Sequence, residues 1–324
     1  MILNTGSRTD IPAYYSEWFY NRIREGYVLV HNPYYPSQVT RYMLDSAVID
    51  MMVFCTKNPS PMFDSFSLLE PFDTFWFVTI TPYGKEIEPH VPDKERVLDS
   101  FLHLSGLVGA GRMSWRYDPI FISGKYSVEY HIKQFEYMAG RLRGSTHQCV
   151  VSFVDLYEKT KRNFPAVRAV AAAEQRTLID AFSAIAAEND LQIHLCCESE
   201  NLARTNVDAE GCLSQKVLED ALGCRLIVPK KKGARQECSC LLGADIGTYN
   251  TCGHGCLYCY ANYDQETVRR SISLHDKKSP FLIGNLQEGD VIKDAKQASW
   301  KDRQMSIFDL FNDYHDRTHR DNHR

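Results

Sequence analysis

Residues 74–82 read TFWFVTITP, and this run limits the fold more than any other part of the chain. Its β-branched and aromatic residues predict a strand. A strand with one wet face would alternate polar and apolar side chains. One that is apolar along its length belongs in a sheet covered on both faces, which is the habit of parallel sheets. Parallel strands need long crossovers, so helical segments should fall between them. Strands are expected at 2–6, 27–33, 48–59, 112–122, 148–155 and 191–200, with helices at 13–26, 37–46, 93–109, 128–144 and 169–190. This rhythm marks an α/β fold, and a complete or partial TIM-type parallel β/α barrel fits it best. Active groups of such barrels gather at the C-terminal ends of the strands. Here those ends read SRTD, CTKNP, TITP, RYDP and CCESE.

The 324 residues are 44 % hydrophobic and 24 % charged, enough for a core without disulfide or metal staples. The eleven cysteines therefore need another explanation. The start, MILNTGSRTD, lacks the basic and apolar regions of a signal peptide. No window approaches 18 uninterrupted apolar residues, so no membrane span is expected. The expected location is the cytoplasm, where thiols stay reduced and many cysteines point to metal binding or catalysis. A net charge of −4 removes global basicity as an argument for nucleic-acid binding.

Residues 1–200 are expected to form the barrel body. Residues 201–240 form a cysteine-bearing linker that includes the basic stretch KKKGARQE. Residues 241–300 hold another barrel strand, a cysteine loop and a following helix, and 301–324 a polar, flexible tail.

The loop TCGHGCLYCY (251–260) carries Cys252, Cys256 and Cys259 in a C-x3-C-x2-C pattern. Three thiolates on one compact loop suit three corners of a cubane iron–sulfur cluster, and a fourth would complete a plain electron-transfer centre. The next upstream cysteine is Cys240, and none follows Cys259. An iron without a protein thiolate is open to a small molecule. The competing reading is zinc, which takes four ligands and would recruit Cys238, Cys240 and His254.

The motif looks like that of the radical S-adenosylmethionine enzymes. The wider segment NTCGHGCLYCYAN closely resembles the opening segment of spore photoproduct lyase and its relatives, matching at Cys252, His254, Gly255, Cys256, Tyr258, Cys259, Tyr260 and Ala261. In those relatives the segment comes first. Here it comes near the end, while SRTDIP (7–12), FCTKNP (54–59), VTITPYGKEIEP (78–89) and RYDPIFIS (116–123) follow the order of the lyase-like barrel from its second strand onward. The chain thus resembles a circularly permuted barrel of this superfamily, with CLLGADIG as the displaced strand, and a bacterial family with a C-terminal cluster motif.

The resemblance implies a [4Fe-4S] cluster on Cys252, Cys256 and Cys259. It implies S-adenosyl-L-methionine on the open iron, reductive cleavage to a 5′-deoxyadenosyl radical, and hydrogen abstraction from a substrate such as a nucleic-acid lesion. An electron donor such as flavodoxin or ferredoxin is then required. Tyr258 would lie near the adenine, and Arg8, Thr9 and Asp10 would face the cofactor, Asp10 toward the ribose or the methionine amine. Thr56 and Lys57 end another strand, with Lys57 a partner for a carboxylate or an anionic substrate. Arg116 and Asp118 end the next, are placed to pair, and with Thr56 are further cofactor-binding candidates. Thr79 and Thr81 share the face expected to line the interior. Glu198 and Glu200 are further candidates, and Tyr117, Tyr249 and Tyr260 candidate hydrogen-atom relays.

Cys197, Cys212, Cys238 and Cys240, with Cys196 able to replace Cys197, are candidates for an auxiliary metal site. Cys55, Cys149 and Cys224 sit in apolar runs and read as core. In the tail, QMSIF (Gln304–Phe308) resembles a sliding-clamp docking peptide. The alternative function is therefore a zinc or cluster module on the DNA replication and repair machinery, without radical chemistry.

Overall fold

The computed structural model describes residues 1–229, 240–241 and 243–302. Its strands are β1 (Ile2–Asn4), β2 (Tyr27–His31), β3 (Gln38–Met43), β4 (Met51–Thr56), β5 (Thr74–Thr79), β6 (Met113–Ile120), β7 (Gln148–Phe153), β8 (Gln192–Leu195), β9 (Val207–Asp208), β10 (Ala244–Asp245) and β11 (Val291–Asp294). The helices are α1 (Ile11–Tyr14), α2 (Ser16–Glu25), α3 (Lys94–Val108), α4 (Val128–Leu142), α5 (Glu158–Asn163), α6 (Ala172–Glu188), α7 (Gln215–Leu222) and α8 (Gln265–Ile272).

Eight strands form one sheet in the order β10-β1-β4-β5-β6-β7-β8-β9, and every pairing in it is parallel. The apolar strand of the sequence is β5, buried at all six positions as a sheet covered on both faces requires. One face packs Leu3, Phe54, Trp76, Val78, Trp115 and Tyr117 against apolar residues of α2, α3, α4 and α6. The other packs Ile2, Met51, Val53, Phe75, Phe77 and Val150 against α7, Leu226, Cys240 and Trp300. Val78 and Ile80 lie in the helix-side core, which leaves Thr79 and Thr81 on the opposite side by alternation.

The parallel α/β sheet is as expected, but it does not close into a complete barrel: among the described residues β9 and β10 are its edges and do not pair. Each edge strand is two residues long, too short a ladder to bridge back. The body also extends past residue 200, because β9 continues the sheet and α7 packs on it. The helix expected at 37–46 is instead β3, paired antiparallel with β2. Val39 is buried between exposed Gln38 and half-buried Thr40, a period of two that suits β-branched residues better than a helix does. β2, β3 and β11 make a separate three-stranded sheet. No helix among the described residues is long and apolar enough to cross a membrane.

β10 lies beside β1, with Leu3 opposite Ala244 and Asn4 opposite Asp245. Gly243 makes this possible, since a Cβ there would fall 1.7 Å from the Ile2 carbonyl oxygen. The strand preceding the cysteine loop, late in the sequence, thereby comes next to the first strand, and α8 follows the loop as expected.

Candidate metal centre

The loop 250–263 leaves the C-terminal end of β10, at the edge of the sheet where β1 and β4 also end. Two turns brace it. Tyr15 donates its hydroxyl to the Thr251 carbonyl at 2.6 Å, and Asn262 Nδ2 donates to the Cys252 carbonyl at 2.8 Å. Leu257 N bonds to Ile87 O and His90 N to His254 O, tying the loop to the segment after β5.

Cys252, Cys256 and Cys259 are half-buried. Burial pushes all three thiols up, Cys256 to about 12. Cys252 is pushed up further by Cys259 and Cys256, and Cys256 by Cys259, whereas Lys57 and Lys94 act on Cys256 in the opposite direction. The three sulfurs thus share one electrostatic neighbourhood with two ammonium groups beside it. Among the described residues no three His, Cys, Asp or Glu side chains are gathered tightly enough to hold a single metal ion. A cubane makes another demand, because each thiolate takes its own iron.

His254 stands between the first two cysteines but is fully engaged. Its Nε2 lies 2.7 Å from Asp10 Oδ2, and its Nδ1 lies 3.1 Å from the Tyr14 hydroxyl. An imidazole with both nitrogens occupied has no lone pair for a metal. Asp10 is equally committed: Oδ1 accepts from Ala13 N at 3.0 Å as the N-cap of α1, and Oδ2 also accepts from Lys57 N at 2.8 Å. Asp10 is thus held by α1, the end of β4 and His254 at once.

Tyr258 points inward rather than toward open space. It joins an aromatic cluster with Tyr83, Phe121 and Phe164 and donates its hydroxyl to Glu88 Oε1. Sequence reasoning assigned Glu88 no role. It is 1 % exposed and accepts from Lys57 Nζ and Thr81 Oγ1, both at 2.8 Å, and from Lys94 Nζ. Burial alone would raise its pKa, but Lys57 and Lys94 bring it down to about 2. Glu88 in turn holds Lys57 above its usual value despite burial, while burial wins at Lys94 and lowers it. The string KEIEP, following an apolar strand, was the only sequence signal for Glu88.

Thr56 Oγ1 is used by its own turn, accepting from Asn58 N at 2.9 Å. Thr9 Oγ1, Asp245 Oδ2 and Asn262 Oδ1 are buried without a hydrogen-bond partner. Arg8 faces the 245–249 segment, 3.5 Å from Gly247 O and 3.9 Å from Asp245, at the wall of a cleft of about 440 Å³ shared with Tyr249, Phe281 and Leu282.

Further along the sheet, Arg116 and Asp118 pair as expected, Nε to Oδ2 at 3.1 Å, and Ser152 donates to the other carboxylate oxygen. Glu198 accepts from Phe153 N at 2.7 Å. Burial, with Asp155 and Asp118 near, raises it to about 7. Glu200 is exposed. Tyr260 donates to Ser7 O at 2.5 Å and lies near Cys55 and Arg116. Tyr249 is exposed. Tyr117 is buried in the core, with its hydroxyl 2.9 Å from His131 Nδ1. Cys149 is core as expected, but Cys55 is half-buried beside Arg116, and Cys224 is half-buried.

Of the auxiliary thiols, Cys212 lies 3.5 Å from Cys240 and 4.0 Å from Cys196, sulfur to sulfur. Of Cys196 and Cys197, Cys196 is the one that lies near Cys212, and Cys197 has a positive φ of 59°. Cys238, the 230–237 stretch and Gln304–Phe308 lie outside the described residues.

A family model described as a domain of unknown function (DUF1848) matches residues 2–261. No curated protein and no solved structure matches the chain.

Proposed function

The chain belongs to the DUF1848 family, and we propose that it is a radical S-adenosylmethionine enzyme built on a permuted, barrel-like sheet. The observation that carries the reading is the donor set at the loop. Three half-buried thiols share one short loop, and the one imidazole between them is committed to Asp10 and Tyr14. Cys240, the nearest upstream thiol, lies against Cys212 instead. That leaves a three-thiol set with no fourth ligand from the described residues, which suits a cubane with one open iron better than four-coordinate zinc.

The surroundings fit such a group. Lys57 and Lys94 beside Cys256, only one of their two charges balanced by Glu88, offset part of the negative charge that three thiolates would bring. Thr9 Oγ1, buried without a hydrogen-bond partner just before α1, is left to bind a polar ligand. With the cluster and S-adenosylmethionine bound, one electron would cleave the sulfonium to a 5′-deoxyadenosyl radical that abstracts hydrogen from a substrate. The chain's own work is to hold the thiols, screen their charge and close the site from below through Glu88 and Tyr258. Loading also requires the thiols to shed protons that burial makes them keep. An electron donor such as flavodoxin or ferredoxin is needed, and the substrate is an organic molecule, a nucleic-acid lesion among the candidates.

The test is anaerobic reconstitution followed by iron and zinc counts, with dithionite and S-adenosylmethionine added. About four irons per chain with 5′-deoxyadenosine formed, and both lost in Cys256→Ala, are expected. Iron well above that level, lost in Cys212→Ala but kept in Cys256→Ala, would assign a second cluster to Cys196, Cys212 and Cys240. Zinc in place of iron without cofactor cleavage would overturn the reading and leave a binding module.

A further inference from the structure

Between Cys252 and Cys256 the sequence is Gly-His-Gly. His254 is therefore the only residue there with a side chain able to fix the backbone, and glycines on both sides leave that backbone its widest freedom. Gly255 uses it, with φ of 71°. Gly253 is needed for another reason: a Cβ would fall 2.8 Å from the Tyr14 ring. We propose that Asp10, His254 and Tyr14 form a clasp that sets the shape of the cysteine loop, with His254 a positioning residue and not a ligand. The proposal rests on the functional reading above for its purpose, but not for its geometry.

The clasp is anchored at its far end. Asp10 caps α1 through Ala13 N and receives Lys57 N from the end of β4, so its carboxylate is fixed by two elements before it meets His254. A carboxylate only accepts, which puts the imidazole proton on Nε2 and leaves Nδ1 to accept from the Tyr14 hydroxyl. The Tyr14 ring meets the imidazole edge-on, with centroids 4.8 Å apart. Asp10 and Tyr14 flank the first turn of the chain, 244 and 240 residues from His254. The first strand's exit is thereby locked to the late loop. Buried hydrogen bonds of this kind fix the orientation of neighbouring ligands in metal sites.

The experiment has a metal-free arm and a loaded arm. In the first, iodoacetamide labelling of Cys252, Cys256 and Cys259 in the full-length apo protein is followed by mass spectrometry. Loss of the charge-assisted bond in His254→Ala is expected to speed labelling about tenfold, with a smaller rise in Tyr14→Phe. Asp10→Asn keeps the helix cap but turns an amide N–H toward Nε2, and should also speed it. These two conservative variants keep the test valid if His254→Ala fails to fold. In the second arm, the cluster-loaded variants are compared with the parent by electron paramagnetic resonance and by midpoint potential, both of which should shift. Labelling rates equal to the parent in all three variants would overturn the clasp, whether or not iron binds. Faster labelling in a protein that takes up no iron would keep the clasp and overturn the radical reading.

Discussion

At the scale of single residues, Glu88 carries the strongest prediction. It pairs with both Lys57 and Lys94 and receives Tyr258 in a buried position. Replacing it by Gln leaves two ammonium groups facing a neutral amide and should cost about 3 kcal/mol or more, as breaking a buried ion pair does. Urea unfolding at pH 7 measures it, and a loss below about 0.5 kcal/mol, typical of a plain surface change, would show that the network does not bear on stability. Its pH dependence has a definite sign. The folded pKa of about 2 lies below the ordinary 4.5, so the unfolded chain binds the proton first as pH falls. The stabilisation is complete above pH 4.5 and is lost as pH drops toward 2, and Glu88→Gln should lack that component. Glu198 runs the other way. Its folded pKa of about 7 lies above 4.5, so the folded state holds a proton that the unfolded state has released. Stability should decline as pH rises from 4.5 to 7, and Glu198→Gln should flatten that decline. A parent and variant with parallel profiles would refute the assignment. Neither behaviour was legible in the sequence, where both residues are glutamates beyond or at the end of an expected strand. What distinguishes them is which lysines the fold brings near.

At the scale of elements, local pattern and tertiary partner contribute unequally. The buried strands β4 to β8 and the helices α3, α4 and α6 followed from apolar runs and helical spacing, because each buries a face that its own residues define. β3 did not follow, since its pairing with β2 decides it. β10 was legible only as the apolar lead-in to the cysteine loop, and its two-residue length reflects how little of it meets β1. That contact depends on Gly243. Gly243→Ala would drive a methyl into the Ile2 carbonyl, and the β10–β1 register would have to give. We expect a loss of about 3 kcal/mol, at the upper end for overpacking, together with faster labelling of Cys252, Cys256 and Cys259 as the loop loses its mooring. Thermal unfolding and the same alkylation assay report the two effects separately. A Gly243→Ala protein with parental melting temperature would mean that β10 is not held as described.

At the scale of the whole molecule, chain order and spatial order differ at one point. Apart from β10, the large sheet runs in chain order from β1 to β9 once β2 and β3 are set aside. The cysteine spacing made the loop legible, and the rhythm of strands made its destination, the C-terminal edge of a parallel sheet, an inference from topology. The Asp10–His254 pairing was beyond reach, because nothing local links residues so far apart in sequence. The same geometry predicts that the order of the two pieces is immaterial to folding. Met1 N lies 2.8 Å from Ala298 O, and Trp300 N lies 2.7 Å from Asp50 Oδ2 near the same point. A chain running from 230 to 302, then through a linker of about six Gly and Ser residues, which spans up to ~20 Å, then from 1 to 229, keeps every pairing in the large sheet. Its one certain loss is at Met1, whose ammonium becomes an amide beside Asp50. We expect the permuted chain to unfold cooperatively, with a melting temperature lower by about 5–10 °C, the shift that roughly 3 kcal/mol produces at this size. Circular dichroism and calorimetry decide it. A permuted chain without a cooperative transition would show that the link between α7 and β10 organises the fold, and that the late position of the cysteine loop is more than a change of chain order.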